Sequence, residues 1–157
     1  MKKSLHQGFT LIELLVVVAI IALLSATALV SYNGARAKAK GARVQAEMQQ
    51  LKSQMELYYS SNSDGYGDTQ SNSNCLGAAF GTTGVNNASL LITTIAKDIG
   101  LSNGFGSGST APSLLCFATG ETWAVSAMSS FLPGGKWCVD SNGISKTSDA
   151  TSAGTCS

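Results

Sequence analysis

The feature that most constrains this chain is an apolar run from residue 9 to residue 30 that contains a single acid, Glu13. Its 22 residues make roughly 33 Å of helix at ~1.5 Å per residue, enough to cross a hydrocarbon core about 30 Å thick. A plain membrane anchor has no use for a carboxylate, which in such surroundings needs a proton or a partner. The run opens Gly8-Phe9-Thr10-Leu11-Ile12-Glu13-Leu14-Leu15, a small residue and an aromatic one just ahead of the acid, and Lys2, Lys3 and His6 precede it.

The run does not end in a turn. Ala37, Gly41, Val44, Met48, Leu51, Met55 and Tyr58 recur at alternating spacings of three and four, which places them on one helical face. The spacing predicts one continuous helix over residues 9–59, apolar all round in its first half and amphipathic in its second. Arg36, Lys38, Lys40, Arg43, Glu47, Lys52 and Glu56 surround the stripe, with Arg43 and Glu47 set to pair across one turn. Gly34 and Gly41 each cost about 1 kcal/mol relative to Ala inside a helix, so a bend or fraying is expected between residues 32 and 41.

Residues 60–74 read as a loop from their Asn, Ser, Asp and Gly content. A short helix is expected over residues 89–99, where Leu91, Ile92, Ile95, Ala96 and Ile99 share a face, Asn87 caps the start and Gly100 ends it. Residues 102–109 form a flexible connection. The period then changes: residues 114–118, 122–128 and 136–140 are short aromatic and β-branched runs separated by turn residues, the pattern of a small antiparallel sheet. In the middle run Trp123, Val125 and Ala127 are expected to cover the helix stripe, and Ala124, Ser126 and Met128 to form a smaller, partly wet face. Beyond the Asp140-Ser141-Asn142-Gly143 turn the chain is polar, with Cys156 as its expected tether. The fold class is α+β: a long N-terminal helix packed against a small antiparallel sheet.

Cys75, Cys116, Cys138 and Cys156 match no metal-binding spacing, and an even number in a small Ser/Gly/Asn-rich region reads as two disulfides formed in an oxidising compartment. Three pairings are open, and Cys75 with Cys116 and Cys138 with Cys156 is the favoured one. Closing the 18-residue separation between Cys138 and Cys156 would add about 3 kcal/mol by the chain-entropy estimate.

Three readings compete for the N-terminus. In the first it is a secretory signal peptide cut after Ala28, releasing a soluble domain. In the second it is a single-pass anchor, although Arg36, Lys38, Lys40 and Arg43 beyond the span outnumber Lys2 and Lys3 before it, which by the positive-inside rule opposes export of the C-terminal part. In the third the leader is residues 1–8 and the chain is cut between Gly8 and Phe9. Here the basic leader, the small residue at the cut, the aromatic new N-terminus, Glu13 and the apolar helix together resemble the type IV pilin family over about a third of the chain.

That resemblance implies a pilin fold, with a leader (1–8), a membrane and filament-core helix (9–30), its amphipathic continuation (31–59) and a globular head (60–157). It implies that a membrane-embedded prepilin peptidase cuts after Gly8 and methylates the amine of Phe9. It also implies that Glu13, meeting the cationic N-terminus at Phe9 of a neighbouring subunit, sets the register of a homopolymeric filament. The partners implied are further copies of the chain, the peptidase, an assembly platform and minor pilins. The precursor would sit in the bacterial cytoplasmic membrane and the mature subunit in a surface pilus; the related alternative is a pseudopilin of a secretion or DNA-uptake machine. This chain has Val30 where many pilins carry a helix-breaking proline and Ala22 where many carry glycine, with Gly34 the nearest substitute. The disulfide-closed C-terminal loop of such pilins would match residues 138–156.

No enzymatic role, cofactor or metal is expected. The single histidine, His6, lies in the leader, which removes histidine triads and His-ligated metals from the mature chain. Processing would also remove Lys2 and Lys3, taking the formal charge from +1 to −1 as ten basic residues become eight against nine acids, so no electrostatic case for nucleic acid remains. Asp64-Gly65-Tyr66-Gly67-Asp68 and Asp140-Ser141-Asn142 lack the repeated acidic spacing of a calcium loop and read as turns. The sequon at Asn87 reads as a helix cap, and Trp123 and Trp137 as sheet packing.

Overall fold

The computed structural model describes residues 8–61, 65–66, 75, 88–101 and 112–157, and of residues 27–31 the backbone alone. Lys2, Lys3 and His6 of the leader, most of the 60–74 loop, Asp64, Asp68, the Asn87 cap, the 102–109 connection and the Val30 side chain lie outside the described residues. Six main elements follow in order: α1 (Leu11–Ser61), α2 (Ala88–Asp98), β1 (Ser113–Ala118), β2 (Trp123–Met128), β3 (Lys136–Asp140) and β4 (Ser145–Lys146), with one 3-10 turn at Pro133–Gly135. The architecture is α+β. The chain divides into two compact units, Met1–Ala37 and Lys38–Ser157, and α1 runs through the boundary.

In the first unit the apolar side chains of α1 face outward: Leu11, Ile12, Leu14, Leu15, Val16 and their successors to Leu24 are all exposed. Among the described residues no helix is long and apolar enough to cross a membrane. The described apolar side chains run from residue 11 to residue 26, about 24 Å of helix against a hydrocarbon core about 30 Å thick. The expected 9–30 span therefore extends beyond what the described side chains cover.

The second unit is built on the predicted stripe. Val44, Met48, Leu51 and Met55 have no exposed surface, and they pack with Ala88, Ile92, Ile95 and Ile99 of α2 and its C-terminal turn. A Schellman motif ends α2. Gly100, at φ +96°, donates to the Lys97 carbonyl and Leu101 to that of Ala96, a left-handed cap that a side chain at 100 would strain.

The strands form an antiparallel meander in the order β1-β2-β3-β4. Register sets Cys116 opposite Val125 and Val125 opposite Val139, so one row of the sheet is apolar across three strands. Leu114, Cys116, Trp123, Val125, Ala127 and Val139 join the helical residues in one core, the face expected to cover the stripe.

The other face differs from expectation. Ala124 and Ser126 have no exposed surface, because the C-terminal segment lies on that face, where Ala124 and Cys138 pack with Ala150 and Cys156. The segment is also more strongly held than by Cys156 alone. Its Ser145–Lys146 strand pairs with β3, Ala150 bridges to Cys156, and Lys136 pairs with Asp149 at 2.6 Å. Thr122 Oγ1 donates to the Ala153 carbonyl at 2.8 Å. The disulfides join Cys75 to Cys116 and Cys138 to Cys156, the pairing favoured from the sequence.

Candidate functional site

The residues singled out at the N-terminus occupy the entry to α1. Gly8, Phe9 and Thr10 are non-helical and exposed, Phe9 at 76%, and a side chain added at Gly8 would meet nothing within 4 Å. Helix begins at Leu11, and Leu14 N–H donates to the Thr10 carbonyl as its first backbone bond. The Gly8–Phe9 peptide bond thus lies in irregular backbone, ahead of the helix.

Glu13 stands in the first turn and is engaged with its own chain. Thr10 N–H donates to Glu13 Oε2 at 3.0 Å, the Thr10 hydroxyl donates to the same oxygen at 2.7 Å, and Glu13 N–H lies 3.4 Å from Thr10 Oγ1. This is a reciprocal capping box: the residue before the helix and the acid three positions on satisfy each other's otherwise orphaned N–H groups. Thr10 is thereby part of the site. The Thr-x-x-Glu spacing was its signal, overshadowed by the apolar residues around it. Around the acid, Ile12 is 70% exposed and Leu14 56%, so the carboxylate rises from an unburied apolar surface.

A second charged cluster lies in the other unit. Arg43 Nε is 2.9 Å from Glu47 Oε1, the pair expected across one turn, and also 2.9 Å from Asp98 Oδ2. The sequence did not foretell Asp98, whose position depends on how α2 packs. Glu47 is largely buried. Burial holds its carboxyl above the ordinary Glu value; Asp98 adds to the shift and Arg43 opposes it. One guanidinium thus holds two acids on two helices, an arrangement that clamps structure rather than performing chemistry.

Of the other candidates, Asp140 is fully buried and its oxygens are taken by backbone donors: Asn142 and Ile144 at Oδ1, Cys156 at Oδ2. That satisfies the carboxylate as a turn and tail anchor. Trp123 is wholly within the core, stacked edge-on against Tyr66, as sheet packing requires.

A long N-terminal helix entered through an exposed, acid-capped segment, together with a disulfide-tied four-stranded sheet, has the build of a pilin-like subunit. Residues 3–29 match the family model described as the prokaryotic N-terminal methylation motif. Three sequences named type IV major fimbrial protein FimA, from Dichelobacter nodosus, are each 46% identical to this chain over 54 residues. Each alignment covers 34% of this chain and 34–35% of the relative, so the chain spans about a third of the length of the curated relatives it matches. No solved structure gives a significant match. Over about a third of its length the chain is thus similar to type IV fimbrial proteins, and residues 3–29 carry the N-terminal methylation motif.

Proposed function

We propose that this chain is the precursor of the structural subunit of a type IV pilus-like filament. The observation that carries the reading is the methylation motif over residues 3–29, laid across an exposed Gly8–Phe9 bond and a helix whose only early acid is Glu13. A peptidase needs its target backbone extended and approachable. That residues 8–10 are exposed and lie ahead of α1 supports this reading. Hydrolysis there releases residues 1–8 and creates an amine on Phe9, which the same enzyme methylates.

The precursor would rest in the cytoplasmic membrane with residues 9–30 as its span, then leave for a surface filament in which those residues pack helix against helix. Keeping these apolar side chains out of water is worth roughly 25 cal/mol per Å² in either setting, so the segment can exchange lipid for neighbouring helices but not for solvent. Within that bundle a lone carboxylate is costly, and the cationic N-terminus of a correctly staggered neighbour relieves the cost. Glu13 would therefore report register. Its bonds to Thr10 keep the acid satisfied until a neighbour arrives. The name carried by the relatives, a major fimbrial protein, favours a filament made mostly of this chain.

Two measurements test this. Intact mass of protein from an assembly-competent host should show a species starting at methylated Phe9; a species starting at Leu29, or an unprocessed chain, overturns the reading. Glu13→Ala should be processed normally yet yield few or no filaments. Wild-type filament yield from that variant would remove Glu13 from assembly.

A further inference from the structure

Among the described residues Asp140 is the most deeply buried charged side chain, with no exposed surface, and no cation pairs with it there. Such a carboxylate is tolerable only when donors replace its water, and here three backbone N–H groups do so. The donors divide by oxygen. Oδ1 accepts from Asn142 at 3.0 Å and Ile144 at 2.9 Å, both in the turn that follows β3. Oδ2 accepts from Cys156 at 2.9 Å, 16 residues away. One oxygen shapes the local turn, and the other captures a remote segment by the backbone of a cysteine.

The partner of that cysteine is Cys138, two residues before Asp140 on β3 and therefore on the same face of the strand. Gripping the N–H of residue 156 at Asp140 brings its Cα to 5.9 Å from that of Cys138, inside the separation a disulfide requires. Other contacts of the segment are also independent of sulfur: the Ala150 to Cys156 bridge, the Ser157 N–H on the Asp149 carbonyl, and the Lys136–Asp149 pair.

We propose that Asp140 is a positioning residue for the second disulfide: its carboxylate gathers residue 156 first, and oxidation then makes that placement covalent. With glutathione disulfide as oxidant, one cysteine thiolate attacks it and releases one glutathione. The second cysteine thiolate then displaces the other glutathione. Two thiols lose two protons and two electrons, and one glutathione disulfide becomes two glutathione thiols. Asp140 acts on the second, intramolecular step by raising the effective concentration of one sulfur at the other. Equilibrium is the appropriate readout, because a nearby carboxylate also disfavours the attacking thiolate and so affects the rate in the opposite sense.

The full chain in detergent is equilibrated anaerobically in glutathione buffers, and each disulfide is quantified by mass spectrometry after alkylation. Asp140→Asn should lower the equilibrium constant for closing Cys138–Cys156 at least tenfold while moving that of Cys75–Cys116 less than twofold. No change at Cys138–Cys156, or an equal fall at both pairs, overturns the proposal, the latter because Asp140 would then act on the whole head. A second measurement removes sulfur altogether. In C138A/C156A the amide of residue 156 should exchange with solvent hydrogen at least tenfold more slowly than a free amide, and adding D140N should abolish that protection. Free exchange at residue 156 in the double variant would mean that the disulfide places the segment, which refutes the proposed order.

Discussion

Gly34 and Gly41 lie in the same helix, and replacing either with Ala should add about 1 kcal/mol of intrinsic helix propensity. Their surroundings make the outcomes differ. At Gly34 an added Cβ meets nothing within 4 Å, so Gly34→Ala keeps the gain. At Gly41 the added Cβ would sit 2.7 Å from the Phe131 carbonyl oxygen and 3.6 Å from its carbon. That oxygen belongs to backbone fixed by the Leu132 N–H to Ser129 carbonyl turn, so no flexible side chain can yield in its place. Overpacking of this kind costs ~1–3 kcal/mol, which exceeds the propensity gain over most of its range. A net loss of about 1 kcal/mol corresponds to a fall of ~4–8 °C in the melting temperature of a domain this size. Thermal melts of the detergent-solubilised chain, followed by the fluorescence of Trp123 and Trp137, read the head directly. Gly41→Ala should lower the midpoint by that amount, whereas Gly34→Ala should leave it unchanged and raise helicity. A rise of ~4–8 °C for Gly41→Ala would show that propensity outweighs the close approach and would refute the reasoning.

Thr10→Val keeps the side-chain shape but removes the hydroxyl that gives to and receives from Glu13, so the entry to α1 should lose about 1 kcal/mol. Faster hydrogen exchange at amides 11–14 is the expected result, and unchanged protection would dismiss the capping box. Glu47 predicts a pH response. Because burial raises its carboxyl above the ordinary value of 4.5, the folded head takes up this proton more readily than the unfolded chain does. The Glu47 contribution to stability should therefore grow as pH falls from neutrality through the raised value and be complete below about 4.5. Urea midpoints measured across that window should show Glu47→Gln flattening the dependence; an identical slope in both proteins would exclude Glu47 as its source.

The parts legible in the sequence are those where one face is buried and the period is intact. The stripe from Val44 to Met55, the shared face of α2, and the alternation of Trp123, Val125 and Ala127 all appear where the spacing put them. At the N-terminus the apolar helix and its acid were equally legible, because nothing there depends on a distant residue. Features governed by single polar atoms escaped. Ser145–Lys146 is too short and too polar to show a period, and it pairs only because the turn at Asp140 delivers it to β3. Asp140 itself looked like an ordinary turn residue, since its bond to Cys156 spans separations that no local pattern encodes. Asp98 is in the same position, placed beside Arg43 by helix packing. The Thr10–Glu13 box is different, because its Thr-x-x-Glu signal is local and present in the sequence.

The meander has a consequence for the order of folding. Every strand pairs with the next one along the chain, from residue 113 to residue 146, so the sheet closes through short loops at little entropic cost. The helical wall that covers it, Val44 to Met55, is separated from β2 by roughly 70 residues of chain, a far slower encounter by loop-closure scaling. The sheet can therefore form before its cover arrives. Until α1 docks, a newly made chain would present Trp123, Val125 and Val139 as a bare apolar surface, and the head is most exposed to aggregation during that interval.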